Sequence, residues 1–302
     1  MRKLILIDGN ALLHRAYHAY PPLSTPKGEL INAVYGFSSM LLSVIDKLSP
    51  THVAVAWDVK GATFRKQEYE EYKANRGPMD EELATQIDRT KEVVEKLNIP
   101  QYGIEGYEAD DIIGTLSKMA STEEDTQVVI VTGDRDALQL IKEKNVVVYL
   151  PIQNHHAQSV VFDEEKVKEV YGLLPKQIID LKSLMGDPSD NIPGVKGVGK
   201  VTATKLIQES GGLHEIYKNI DRLSISPRIK ELLLADKEMA DKSYHLAEID
   251  QSVPLVLSWD DCLLTNYDKK GITALFEELN FKSLLGKLPR DSWEKDVQEA
   301  FI

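Results

Sequence analysis

Two regimes of hydrophobic patterning follow one another along the chain. In the first half, short unbroken apolar runs alternate with longer stretches whose apolar residues recur every three to four positions. The unbroken runs at 3–7, His52–Ala56, 127–131 and Val146–Leu150 are predicted strands. Between them, Asn32–Leu48 carries apolar residues at helical spacing, and 80–97 is predicted to be one polar amphipathic helix begun by Pro78 and an acidic first turn. Strands without polar alternation must be covered on both faces, which predicts a parallel, Rossmann-like, doubly wound α/β core. From about Asp163 the pattern changes to short helices divided by Gly and Pro, with Asp163 as an N-cap and Gly172 as a C-terminal stop. Residues 181–206 read as a helix, a Gly-rich turn and a second helix. Beyond Asp221 the chain looks helical and amphipathic without legible chemistry, and from Pro289 it turns polar.

Carboxylates punctuate this pattern. Three predicted strands end in Asp8, Asp58 and Asp134, at the strand ends where open parallel sheets bind ligands. A single strand-end Asp is ordinarily a turn or cap residue. Asp136 lies two residues past Asp134, and Glu108-Ala-Asp110-Asp111 precedes an apolar helical run. The helix dipole accounts for one or two acids there, not three. Glu108 and Asp111, three apart, share a face, and Asp110 points elsewhere. Asp187 and Asp190 form a further cluster that in isolation is an Asx-rich turn. If these nine acids converge, their repulsion requires cations. Hard oxygen donors without Cys or a His cluster suit Mg²⁺ or Mn²⁺ over Zn²⁺. Two such ions about 4 Å apart would clamp a scissile phosphate. His155-His156 reads as a solvated pair in a polar loop.

Composition narrows the setting. The apolar run of the amino terminus breaks at Asp8, too short for a secretion signal, and Cys262 is the sole cysteine, so neither a disulfide nor a Cys-based metal site arises within the chain. Both point to a reducing, cytoplasmic environment. The net charge of −12 runs against nucleic-acid binding only if the acids hold no metal. Basic residues are concentrated at Lys60, Arg65, Lys66, Lys73 and Arg76, and again at Lys196, Lys200 and Lys205. In the first group Lys73 and Arg76, three apart, could meet a phosphate on one helical face, with Tyr72 stacking on a base.

The segment from Ile192 to Ala203 fits GxxxxGK at Gly194 to Lys200, but Val201 stands where a P-loop needs Ser or Thr, and no strand precedes it. A helix–hairpin–helix fits better. Gly194, Gly197 and Gly199 let backbone N–H groups approach a DNA phosphate, and Lys200 and Thr202 sit at the following helix's N-terminus.

The stretches IDGNALLHRAYHA, WDVKGATFR, EYKANR, GYEADDIIGTL, VTGDRDALQL, LMGDPSDNIPGVKGVGKVTATKL and FKSLLGKLP, in that order over nearly the whole chain, resemble the 5′-nuclease domain of bacterial DNA polymerase I, within the flap endonuclease family. The resemblance implies a PIN-like α/β nuclease domain over 1–180 with a helical arch around 62–100, a helical helix–hairpin–helix domain over 181–290, and a polar tail at 291–302. It implies a structure-selective nuclease acting on 5′ flaps and 5′ ends of nicked or gapped DNA, in primer removal and repair. Asp8, Asp58, Glu108, Asp110, Asp111, Asp134, Asp136, Asp187 and Asp190 would form the pool for two Mg²⁺ or Mn²⁺ ions. Lys73 and Arg76 would touch the scissile phosphate, Arg15 and Arg65 would contact substrate, and the hairpin would also hold K⁺. A monomer is expected, with a polymerase domain in the same or a separate chain; FKSLLGKLP resembles the handover to such a domain. Departures are Trp57 where Phe is commoner, Lys196 for Pro, and Lys200-Val201 for a Glu-Lys pair; none removes a ligand. A DNA-binding module without catalysis and a ribonuclease on a related fold are the rival readings.

Overall fold

The computed structural model describes residues 1–151, 159–264 and 267–289. His155-His156 and the polar tail lie outside the described residues. Six strands, β1 (Arg2–Asp8), β2 (His52–Ala56), β3 (Gln101–Tyr102), β4 (Thr126–Val131), β5 (Val146–Leu150) and β6 (Val160–Phe162), form one sheet in the order β3-β2-β1-β4-β5-β6. The first five are parallel and β6 is antiparallel. Alternate residues feed two cores. Ile5, Ile7, Val53 and Val55 pack with the helix Asn32–Leu48, while Leu4, Leu6, Ala54 and Ala56 pack with the helix Ala109–Ser121. The four strands expected from their apolar runs are present to within a residue at each end. β3 and β6 carry no such signal, because β3 has two residues and Val160 and Val161 on β6 are solvent-exposed.

The stretch 80–97 is not one helix. It breaks into Glu81–Ala84 and Ile87–Lys96 around Gln86, which is buried. The Gln86 side chain accepts from the N–H of Ala33 (2.8 Å) and donates to Asn32 Oδ1 (3.1 Å). It thereby satisfies the start of Asn32–Leu48, whose N-cap Ile31 has no side chain for the purpose. At the other boundary Asp163 caps its helix through Lys166 N–H (2.8 Å), and Gly172 closes it at φ 70°.

A third core lies among the carboxy-terminal helices and includes Leu173, Val195, Leu206, Ile216 and Leu233. The helix Gln177–Met185 belongs to two cores at once: Ile178 packs toward the sheet, Leu181 and Leu184 toward the helices. After these helices the chain returns to the sheet, where Phe276, Phe281 and Leu284 complete the core under Asn32–Leu48. Among the described residues no helix is long and apolar enough to cross a membrane.

Strand order reverses at β1, which pairs with β2 on one side and β4 on the other. The crevice beyond the carboxyl ends of β1 and β4 is therefore the place where this topology offers a ligand site.

Candidate active site

Asp8 closes β1 and caps the next helix, Gly9–Ala19, accepting from Ala11 N–H (2.9 Å). Its other oxygen accepts from the Thr132 hydroxyl (2.7 Å), which ties it to the end of β4. Gly9 has to be glycine, since a Cβ would stand 2.5 Å from the Trp57 ring packed over the strand end. Asp58, just past β2, receives the Ala109 N–H (2.8 Å) and donates its own N–H to Asn10 Oδ1 (2.9 Å). Asp134 accepts from Asp136 N–H (2.9 Å) and donates its N–H to Thr132 Oγ1 (3.0 Å). Thr132 and Asn10 thus position three predicted acids, and neither stands out in the sequence.

The acids at the start of Ala109–Ser121 divide into two roles. Asp111 is fully buried, and its oxygens take two bonds from Arg65 (2.8 and 2.6 Å) plus the N–H groups of Glu108 (3.0 Å) and Asp250 (2.9 Å). A carboxylate with four donors has no lone pair to spare for a metal. Arg65 is buried too, and its remaining N–H groups donate to the carbonyls of Leu246 and Glu248 and to the Glu108 carboxylate (3.4 Å). Expected as a ligand and a substrate contact, Asp111 and Arg65 are spent largely on each other here, and together they join the Phe64–Glu68 segment, the acidic helix and the carboxy-terminal helices from behind the site.

Asp110 is the reverse case. Its Oδ1 is shielded from solvent and has no hydrogen-bond partner among the described residues. Burial, then the charges of Asp134, Asp8 and Asp136, push its pKa well above the ordinary carboxylate value. Burial likewise raises Asp8 to about 6, although Ala11 and Thr132 stabilise its anion. Asp136 is raised to about 7 by burial and by Asp134, against the opposing pull of Lys182. Four carboxylates therefore repel one another in a shielded space, and an orphaned oxygen among them is a vacant hard-donor position. This donor set fits a divalent cation.

Among the described residues, no three acidic, imidazole or thiol side chains by themselves close a metal site. Cations of the protein lie among the acids instead. Lys182 donates to both Asp136 and Asp187. For Asp187, burial is outweighed by Lys182 and Ser189, and its pKa falls. Lys73 Nζ donates to Glu108 (2.9 Å) and lies 3.8 Å from Asp190, while Arg76 donates to Asp190. Burial opposes the Lys73 charge, but Glu108 and Asp190 more than offset it and its pKa rises. Lys182 is the functional candidate that pattern reasoning missed, because a lysine in an amphipathic helix reads as a solvated charge.

The predicted helical face for Lys73 and Arg76 is also corrected. The helix there is Phe64–Glu68 only, and turns follow as far as Asn75, with Lys73 at φ 54°. Lys73 N–H donates to the Asp190 carbonyl (2.9 Å), Asn75 to the Pro188 carbonyl (2.6 Å), and Asn191 to the Glu71 carbonyl (2.7 Å). This docking replaces the helix. Tyr72 does not present its ring to a base: it is buried with Ile192 and Leu246, its hydroxyl 3.1 Å from Glu108. Arg15, half-buried on Gly9–Ala19, reaches to 3.8 Å from where a Gly133 Cβ would stand, beside the Asp134 loop.

In the hairpin, Gly194 (φ 64°) crosses Gly186 so closely that a Cβ would lie 2.2 Å from the Gly186 nitrogen. Its N–H donates to Ser243 (3.0 Å), and Lys196 N–H donates to Asp236 (2.8 Å). Those two N–H groups are spent inside the protein, and Gly194 shapes the turn. Gly197 (φ 86°) and Gly199 are exposed on either side of the buried Val198, and the helix Lys200–Ser210 begins there without a side-chain cap. Lys200 is exposed, its Nζ 5.2 Å from the Tyr171 ring, and Thr202 is half-buried in the first turn.

A family profile for the 5′-3′ exonuclease N-terminal resolvase-like domain matches residues 3–172, and one for the 5′-3′ exonuclease C-terminal SAM fold matches 173–270. DNA polymerase I of Caldicellulosiruptor bescii is 44% identical over 289 residues, covering 95% of this chain and 33% of that protein. DNA polymerase I of Bacillus subtilis is 40% identical over 300 residues, with 99% and 34% covered. The chain thus spans about a third of these relatives' length. A structure of bacteriophage T5 5′-exonuclease with zinc bound has a TM-score of 0.67 at 24% identity, covering 92% of this chain and all of the other, a likeness of fold.

Proposed function

The chain belongs to the 5′-3′ exonuclease family, and from that premise we propose that it hydrolyses DNA phosphodiesters at 5′ flaps and 5′ ends, using two Mg²⁺ or Mn²⁺ ions. The observation that carries the reading is the unpartnered Asp110 oxygen within a ring of mutually repelling acids at the sheet's switch point. Asp8, Asp58, Glu108, Asp110, Asp134, Asp136, Asp187 and Asp190 are the residues that would hold the ions. Bound there, such ions supply activation of water and stabilisation of charge on the leaving oxygen.

The protein's own groups do the rest. Lys73 and Arg76, now paired with Glu108 and Asp190, exchange these carboxylates for the scissile phosphate. Arg15, beside the Asp134 loop, takes a neighbouring phosphate. Lys182 holds Asp136 and Asp187 at fixed separation from one another. The hairpin grips the duplex through the Gly197–Lys200 backbone and the open helix start, with K⁺ among its carbonyls, and recognises shape rather than sequence. A role in primer removal and repair, in the cytoplasm and beside a polymerase domain, accompanies this reading.

The test is a labelled 5′-flap duplex incubated with the protein in Mg²⁺ and in EDTA, with Asp134→Ala as control. Cleavage in Mg²⁺ that is absent in EDTA and in the variant is expected. Absence of Mg²⁺-dependent cleavage would overturn the proposal.

A further inference from the structure

Away from the acids, an open groove of about 470 Å³ lies between the helices Leu213–Lys218 and Lys237–Ala247. This lies within the usual range for a small-molecule site, roughly 300–1,000 Å³. Its walls alternate aromatic rings and cations. Tyr217 and Tyr244 are half-buried and line the groove, and the Tyr217 hydroxyl donates to the Leu233 carbonyl (3.1 Å), which fixes that ring. Lys237 Nζ lies 5.7 Å from the Tyr217 ring centre, and the His214 ring 5.6 Å from that of Tyr244. Lys218 and His245 stand exposed on the rim, and Asp241 contributes one carboxylate.

We propose that this groove binds a nucleotide, with the base against the tyrosine rings and the phosphate between Lys218 and Lys237. The chemistry is specific in kind. Ring faces with cations beside them suit a flat π-system joined to an anion, the combination a nucleotide presents. A bare phosphate would leave the rings unused, and an apolar ligand would strand the lysines. Asp241 accepts from an exocyclic amino group, which favours adenine or cytosine over thymine. The nucleotide is either free or one residue of a strand. The location gives binding a structural consequence. Asp236, next to Lys237, accepts the Lys196 N–H of the hairpin, and Ser243 on the same helix accepts that of Gly194. The pocket thus shares its framework with the hairpin but uses none of its residues.

The experiment is calorimetric titration of the full chain with dAMP and, separately, with single-stranded (dA)₆. It is done in EDTA, so that neither cleavage nor a metal-held phosphate contributes and the result does not depend on nuclease activity. The charge-reversal pair Lys218→Glu and Lys237→Glu, confirmed folded by an unchanged melting temperature, is compared with the parent. The milder Lys237→Met replaces it if the pair melts early. Saturable dAMP binding that weakens about tenfold or more on charge reversal identifies a site for free nucleotide. Loss of (dA)₆ affinity alone identifies a site for a strand residue. Either result supports the proposal. No binding of either probe up to about 10 mM, or binding indifferent to the charge reversal, overturns it.

Discussion

Asp136→Asn should stabilise the metal-free protein while abolishing its activity. Asn approximates a protonated Asp that cannot ionise. The Asp136 carboxyl is little exposed (13%), and its pKa is raised from 3.8 to about 7. An acid whose folded pKa exceeds its unfolded one costs nothing below the unfolded value. Its cost grows between the two and is complete above the folded one. Here that window runs from about pH 4 to about pH 7. Three units at about 1.4 kcal/mol each set an upper bound near 4 kcal/mol. Because the charges of Asp134 and Lys182 act on Asp136 in opposite directions, a gain on the order of 2–4 kcal/mol at pH 8 is expected. At roughly 2–4 °C per kcal/mol for a protein of this size, the melting temperature should rise by about 5–10 °C in EDTA. The assay is calorimetry of parent and variant at pH 8 and pH 5. The difference should be large at the first and small at the second, and flap cleavage in Mg²⁺ should vanish. A variant less stable than the parent at pH 8, or a gain of equal size at pH 5, would refute the electrostatic account.

Mg²⁺ should raise the parent's melting temperature at pH 8 and lose most of that effect by pH 5.5, since protons reclaim Asp8 below about 6 and Asp136 below about 7; a pH-independent stabilisation by Mg²⁺ would contradict this. Lys73→Ala and Arg76→Ala should each lower kcat about 10²–10³-fold on a flap substrate, read by single-turnover kinetics. Arg65→Ala leaves Asp111 charged and fully buried, so denaturant unfolding should show a loss of about 3–5 kcal/mol. Gly194→Ala forces a methyl group to 2.2 Å from the Gly186 nitrogen at φ 64° and should weaken duplex binding in EDTA while the sheet's far-UV signal persists.

Much of the site was legible because its acids sit where chain geometry puts them. A strand that ends in Asp at a sheet's switch point directs that Asp toward the crevice whatever the side-chain packing; Asp8 and Asp134 lie at the ends of β1 and β4, and Asp58 at the end of the neighbouring β2. In the sequence Asp111 cannot be told from Asp110, because their neighbours are alike. Only the arrival of Arg65 and the Asp250 N–H from distant segments distinguishes the two. The segment of Tyr72, Lys73 and Arg76 differs for a related reason: helical spacing suggested one face for Lys73 and Arg76, but bonds to the Asp187–Asn191 loop outweigh helix propensity there. Gln86 broke a predicted helix because its amide serves another helix's start. Local pattern reveals what the backbone positions, and long-range partners decide what each side chain then does.

The helix Gln177–Met185, with Ile178 in one core and Leu184 in another, and the return of Phe276, Phe281 and Leu284 to the sheet bear on how the protein can be taken apart. The boundary between the two family profiles at 172/173 divides sequence, not foldable units. A piece ending there would lose Phe276, Phe281 and Leu284, together with Ile272 and Leu279 of the same core, each stabilising by about 1.5–3 kcal/mol, and present a greasy slot to solvent. Neither half should be soluble when expressed separately, and co-expression of the two should restore a single folded particle.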